Sequence, residues 1–142
     1  MAKRLTVAKL KQKLQPIFNK YIRLRDSGGG FFTCMACHMT KSTDILNAGH
    51  YFSVGNWDGL RFDEENVHGE CAPCNAWDDH HLFGYRESLI KKIGLDRFEE
   101  LEQRARNYKQ GTLVNEYFNG KWDRTVLEEK IIEYKQKIKE LG

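Results

Sequence analysis

Two C-x-x-C pairs constrain this chain more than any other feature: Cys34-Met35-Ala36-Cys37 and Cys71-Ala72-Pro73-Cys74. Two residues between cysteines let both sulfurs of a tight knuckle face one tetrahedral ion, and two such knuckles complete a four-cysteine zinc site. The segment between residues 38 and 70 is then a loop closed by metal. Disulfides compete for the same residues, but they are disfavoured without a secretion signal. The basic N-terminal stretch is interrupted by Lys9, Lys11 and Lys13 and has no signal-peptide apolar core. A redox pair would need only one of the two motifs. The expectation is a structural Zn2+ held by Cys34, Cys37, Cys71 and Cys74 in an intracellular protein.

A chain of 142 residues, 40% apolar and 12% aromatic, has room for one core. It is neither disordered nor membrane-like in composition, and no apolar run approaches the ~20 residues of a membrane span. Charge is unevenly spread. Residues 1–25 carry eight Lys/Arg and no acid, whereas residues 26–82 carry nine acids against Lys41 and Arg61. A basic segment beside an acidic centre suits a protein that grips a polyanion and holds a cation near it, although solvated faces account for the same composition.

Apolar residues Val7, Leu10, Leu14, Ile17, Tyr21 and Leu24 recur with helical period behind Thr6, a plausible N-cap, and Pro16 is expected to kink or restart that helix. Gly28-Gly29-Gly30 ends it in a flexible turn. Short strands and loops are expected from Phe31 to about Leu60. Helical period returns after Cys74, with Leu82, Tyr85, Leu89 and Ile93 on one face and Gly94 as the stop. Asp96 and Glu99 have capping-box spacing for the next helix, to about Tyr108. A last helix carries Leu127, Ile131, Tyr134, Ile138 and Leu141 in a heptad-like seam. The expected class is α+β: one domain, 1–142, with a basic helical arm (1–26), a zinc-stapled core (30–94) and a helical C-terminal region (95–142).

The loop between the knuckles contains Ala48-Gly49-His50-Tyr51 and Arg61-Phe62-Asp63-Glu64-Glu65-Asn66-Val67-His68, and Asn75 directly follows the second knuckle. His50, Asn66 and Asn75, at these offsets from the cysteines, resemble the H-N-N form of the HNH nucleases and their zinc-stapled ββα-metal unit. Together with Tyr21 to Asp26, the Cys34 knuckle, Leu60 to His68, Cys71 to Asn75 and Gly84-Tyr85-Arg86, the chain resembles the phage NinG family, also called Rap. That family is associated with phage recombination and with endonuclease action on branched DNA, including Holliday junctions and D-loops. The resemblance runs from about Thr6 to the last helix. One departure stands out: many HNH enzymes have a metal-binding aspartate directly before the first histidine, and here that position is Gly49.

The resemblance implies a metal-dependent endodeoxyribonuclease in the cytoplasm of a bacterial host. His50 is then the general base, Asn66 the brace of its loop, and Asn75 a ligand of a catalytic Mg2+ or Mn2+. On a helix, Asp78 and Asp79 share the face of Asn75, making Asp79 the candidate second ligand and Asp78 a weaker one. Asn75 reads equally as a helix cap. His68, three residues before Cys71, is a weak candidate for a substrate or metal contact and also suits packing behind the site. Lys9, Lys11, Lys13, Lys20, Arg23, Arg25 and Arg61 are the expected DNA contacts. A zinc-ribbon protein that binds DNA without cutting it is the alternative. The C-terminal seam serves either a homodimer, matching a two-fold junction, or a helix folded back on its own domain.

Overall fold

The computed structural model describes residues 4–77 and 81–142, without the side chain of Trp77. Among the described residues, helix α1 (Val7–Arg25) leads into a hairpin-based sheet of β1 (Ser27–Gly28), β2 (Phe31–Thr33) and β3 (Thr40–Ser42). A 3-10 turn, Thr43–Ile45, joins it to β4 (Leu46–His50), which pairs antiparallel with β5 (Val67–Cys71). Helices α2 (Ala72–Trp77), α3 (His81–Ile93), α4 (Leu95–Lys109) and α5 (Arg124–Leu141) complete an α+β fold. Among the described residues, no helix is long and apolar enough to cross a membrane.

Thr6 caps α1 as expected, its Oγ1 accepting the Lys9 backbone N–H at 3.2 Å. The helix then runs unbroken through Pro16, which is exposed. Leu10, Leu14, Phe18 and Ile22 form the buried face, four residues apart, and the surrounding structure holds the helix together where local propensity would have stopped it. The capping box at Asp96 does not form. Gly94 ends α3, its N–H reaching Ile90 O at 2.9 Å, and with φ 89° it also opens α4, whose first residue is Leu95. One glycine between two helices leaves no room for a side-chain cap at Asp96.

The C-terminal seam folds back. Leu127, Ile131 and Tyr134 are buried against α1, with the Tyr134 ring edge-on to Phe18 at 5.0 Å, while Leu141 stays exposed. Three groups then close on the half-buried Glu64 carboxylate: Tyr21 Oη at 3.1 Å, Tyr134 Oη at 2.8 Å and Lys137 Nζ at 3.0 Å. The apolar stripe that motivated a homodimer is thus covered by the chain's own first helix. Phe18, Phe62, Leu89 and Leu127 belong to one hydrophobic cluster, so the basic N-terminal segment is a wall of the core.

Arg25 and Asp26 pin the end of α1 to β5. The Arg25 guanidinium donates to Asp26, to Glu64 O at 3.1 Å, to Val67 O at 2.7 Å and to His68 Nδ1 at 3.0 Å. Asp26 Oδ2 accepts the Gly69 N–H at 2.8 Å, and Lys92 from α3 reaches Asp26 Oδ1 at 2.9 Å. Burial opposes the Asp26 charge, yet Arg25 and Lys92 hold its carboxyl well below the usual carboxylate range. A guanidinium only donates, so His68 must accept on Nδ1 and carry its hydrogen on Nε2, which donates to Glu65 O at 2.9 Å. Burial, followed by the Lys92 and Arg25 charges, pushes the His68 imidazole down to about 3.

His68 therefore gives stability a pH dependence. The unfolded chain protonates it near 6.5 and the folded chain only near 3, so unfolding takes up a proton between those values. Stability is expected to fall as pH drops through this window, by at most about 1.4 kcal/mol per pH unit from this residue. Urea unfolding of the wild type and His68→Gln at pH 7 and pH 5 measures it: the variant should be weaker at pH 7 and lose less on acidification.

Candidate functional site

The knuckles meet behind the β4–β5 pair. Cys34 follows β2, Cys37 lies three residues on, Cys71 ends β5 and Cys74 sits in α2. Their four Sγ atoms lie within 4.8 Å of one another, and all four are free thiols. Tetrahedral ligands at a Zn–S distance of ~2.3 Å stand about 3.8 Å apart, so the cluster fits such an ion. Backbone N–H groups of Ala36, Cys37 and Cys71 point at Cys34 Sγ at 3.4, 3.5 and 3.3 Å, and Lys41 Nζ lies 3.6 Å from Cys71 Sγ. These donors favour thiolate. Burial and the neighbouring sulfurs raise the Cys74 thiol, a cost that a cation among them relieves. The four cysteines could therefore bind a metal such as zinc.

At the other end of the same strand pair, β4 delivers His50, in register with Val67. Residues 51–66 then bulge out and return, and Asn66 holds the two limbs together. It is fully buried; its Oδ1 accepts the Phe52 N–H at 2.8 Å, while Nδ2 donates to Phe52 O at 3.0 Å and Leu60 O at 3.1 Å. Tyr51 N–H adds a bond to Asn66 O at 2.9 Å. The braced loop presents Arg61 O to His50 Nε2 at 3.0 Å. A carbonyl can only accept, so Nε2 carries the hydrogen and Nδ1 is the basic nitrogen. Burial lowers the His50 pKa below 6.5, keeping the ring neutral near pH 7.

The remaining expected site residues are dispersed. Asn75 is exposed on α2, one residue past Cys74, and α2 packs on both β4 and β5. Asp78 and Asp79 lie outside the described residues. Lys9, Lys13 and Lys20 are exposed along α1, and Arg23 is half-buried. Three cations in the expected DNA-contact row have internal partners instead. Arg25 is spent in the His68 network. Lys11 pairs with Asp58 at 3.1 Å, and Arg61 binds Asp58 at 2.8 Å and Gln15 at 2.9 Å. Sequence spacing cannot distinguish a lysine facing solvent from one facing an acid brought up by a distant loop.

Two further groups lie near this centre: Glu70, which sequence reasoning missed, and His81, for which the sequence offers no spacing argument beyond an adjacent histidine pair that could contact phosphate. Glu70, on β5 just before Cys71, is fully buried, and its Oε2 is 2.6 Å from Nδ1 of the half-buried His81 at the start of α3. The available signal was a carboxylate beside a cysteine knuckle, in a strand whose five residues are all buried.

Metal content tests the thiol cluster. One zinc per chain is expected by elemental analysis, lost in Cys71→Ser. Chelation should open the segment from β2 to α2 to proteolysis, because a metal bound only by the folded chain contributes its binding free energy to folding.

The family described as "NinG: Bacteriophage Lambda NinG protein" matches residues 2–142. The chain is 33% identical over 134 residues to Protein ninG of Escherichia phage lambda, covering 93% of this chain and 56% of that protein. Identity to Protein ninG of Salmonella phage P22 is 31% over 132 residues, covering 93% and 57%. With the ninG protein of Escherichia phage 933W it is 34% over 100 residues, covering 70% and 47%. No solved structure matches. The chain spans about half the length of these curated relatives. With the match extending from residue 2 to residue 142, the chain belongs to the NinG family of bacteriophage proteins.

Proposed function

We propose that this chain is a metal-dependent DNA endonuclease of HNH type, acting on branched recombination intermediates such as Holliday junctions and D-loops in the cytoplasm of a phage-infected bacterium. The observation that carries the reading is the His50 arrangement: a neutral imidazole whose Nε2–H is tied to Arg61 O, on a loop that Asn66 clamps at both limbs. The tautomer that fixes the ring leaves Nδ1 able to take a proton. The β4–β5 pair followed by α2 has the element order of a ββα unit, and the resemblance of the motifs supplies the substrate class.

In this reading His50 Nδ1 takes a proton from the attacking water as its oxygen bonds to phosphorus and the bond to the leaving oxygen breaks. Asn66 and Arg61 O hold the ring in one tautomer and one orientation, removing the cost of ordering it at each turnover. Exposed Lys9, Lys13 and Lys20, with Arg23, offer positive charge to the DNA backbone. A bound Mg2+ or Mn2+ supplies Lewis-acid polarisation of the phosphate and stabilises the leaving oxygen. Asn75 and Asp79 are the sequence-derived holders of that ion, Asp79 lying outside the described residues.

Incubation of the protein with linear duplex, single-stranded and four-way-junction DNA, with and without Mg2+ or Mn2+, is expected to show metal-dependent cutting that favours the junction. His50→Ala should lose about a hundredfold or more in cleavage rate with DNA affinity retained, because a general base acts on the chemical step. Equal loss of binding and cleavage, with the fold intact, or no cutting of any DNA, would favour a non-catalytic DNA-binding protein. Since the neutral imidazole is the active form and burial lowers its pKa, activity is expected to hold to below pH 6.5 before it falls on acidification.

A further inference from the structure

The nuclease reading leaves Gly49 unexplained, since many of the HNH enzymes that the motifs resemble have an aspartate directly before the first histidine. An ideal Cβ on Gly49 would lie 2.3 Å from Glu70 Oε1 and 2.9 Å from Glu70 Cβ. With bond lengths of ~1.5 Å for C–C and ~1.2 Å for C–O, an aspartate oxygen sits about 2.4 Å from its own Cβ. The Glu70 oxygen therefore lies at the distance from that Cβ where an aspartate at residue 49 would carry its own. Glu70 pairs in register with Asn47 and reaches across to Gly49 from the neighbouring strand. Only glycine leaves the space for it.

We propose that Glu70 and His81 form a divalent-cation site in which the Glu70 carboxylate supplies, from β5, the ligand absent at residue 49 of β4. Glu70 is 0% exposed, and a buried carboxylate is costly unless it is paired or coordinates a metal. Its Oε2 and His81 Nδ1 converge at 2.6 Å. Adjacent ligands on an ion such as Mg2+, with bonds of ~2.1 Å, stand about 3 Å apart. A cation in place of the shared hydrogen needs the two atoms to part by only a few tenths of an ångström, the neutral imidazole then keeping its hydrogen on Nε2. The His81 side chain is 19% exposed, which gives the ion a way in. Gly49 directly precedes His50, so the carboxylate lies against the strand that carries the proposed base. This assignment rests on the nuclease reading for its purpose but not for its geometry.

Binding of Mn2+ to the zinc-loaded full chain without DNA, followed by electron paramagnetic resonance and calorimetry, tests the site separately from cleavage. Glu70→Gln and His81→Gln should each weaken Mn2+ binding about tenfold or more, with zinc content unchanged. The double variant Gly49→Asp with Glu70→Gly moves the carboxylate to the other strand and should regain most of the affinity, an outcome that a purely structural Glu70–His81 pair does not produce. Wild-type affinity in both single variants, or no Mn2+ binding by the wild type, overturns the proposal even if the protein cuts DNA. Mn2+ binding lost in both single variants and regained in the swap, without cleavage of any DNA, upholds the site and refutes the nuclease reading.

Discussion

The pairing of β4 with β5 is the constraint from which the rest of the arrangement follows. Leu46 faces Cys71 at one end and His50 faces Val67 at the other, four steps apart, or about 14 Å along the strands. A slip by one residue would turn every side chain of one strand to the opposite face, taking Val67 out of the hydrophobic cluster and moving Glu70 away from Gly49. The thiol cluster at the Cys71 end opposes such a slip, because Cys71 must meet Cys34, Cys37 and Cys74. The thiol end and the histidine end therefore share one short, rigid ruler.

Around that ruler, much of the charge on the chain is turned inward. Arg25, Asp26, His68 and Lys92 join α1, β5 and α3, while Glu64 collects Tyr21, Tyr134 and Lys137 from α1 and α5. Asp63, 4% exposed, takes Arg104 of α4 at 2.9 Å. The acidic stretch Asp63-Glu64-Glu65 serves as a hub that helices grip from three sides. Breaking one partner of such a network strands a buried charge, so these contacts specify a single packing even where their net contribution to stability is small.

The same network reshapes the basic helix. A face of α1 that reads as a uniform row of cations divides into Lys9, Lys13 and Lys20, which point to solvent, and Lys11 and Arg25, which hold Asp58 and the His68 cluster. The exposed charges are the ones available to a polyanion. The internal ones fix the helix that carries them, and through Asp58 and Arg61 they reach the loop whose carbonyl orients His50.

Local chemistry alone determined several features of this protein. The cysteine spacing set two thiols in each knuckle; Thr6 capped α1; and apolar period placed α1, α3 and α5. Each depends on bonds or periods that operate over a few residues. Tertiary structure decided what depended on distant partners. It carried α1 through Pro16, covered the α5 seam with α1 rather than leaving it open, and withdrew Arg25 and Lys11 into the protein. It also set Glu70 against Gly49 and His81. Those outcomes turn on which residues meet across tens of positions of chain, where burial and paired charge outweigh local propensity, and neither periodicity nor motif spacing carries that information.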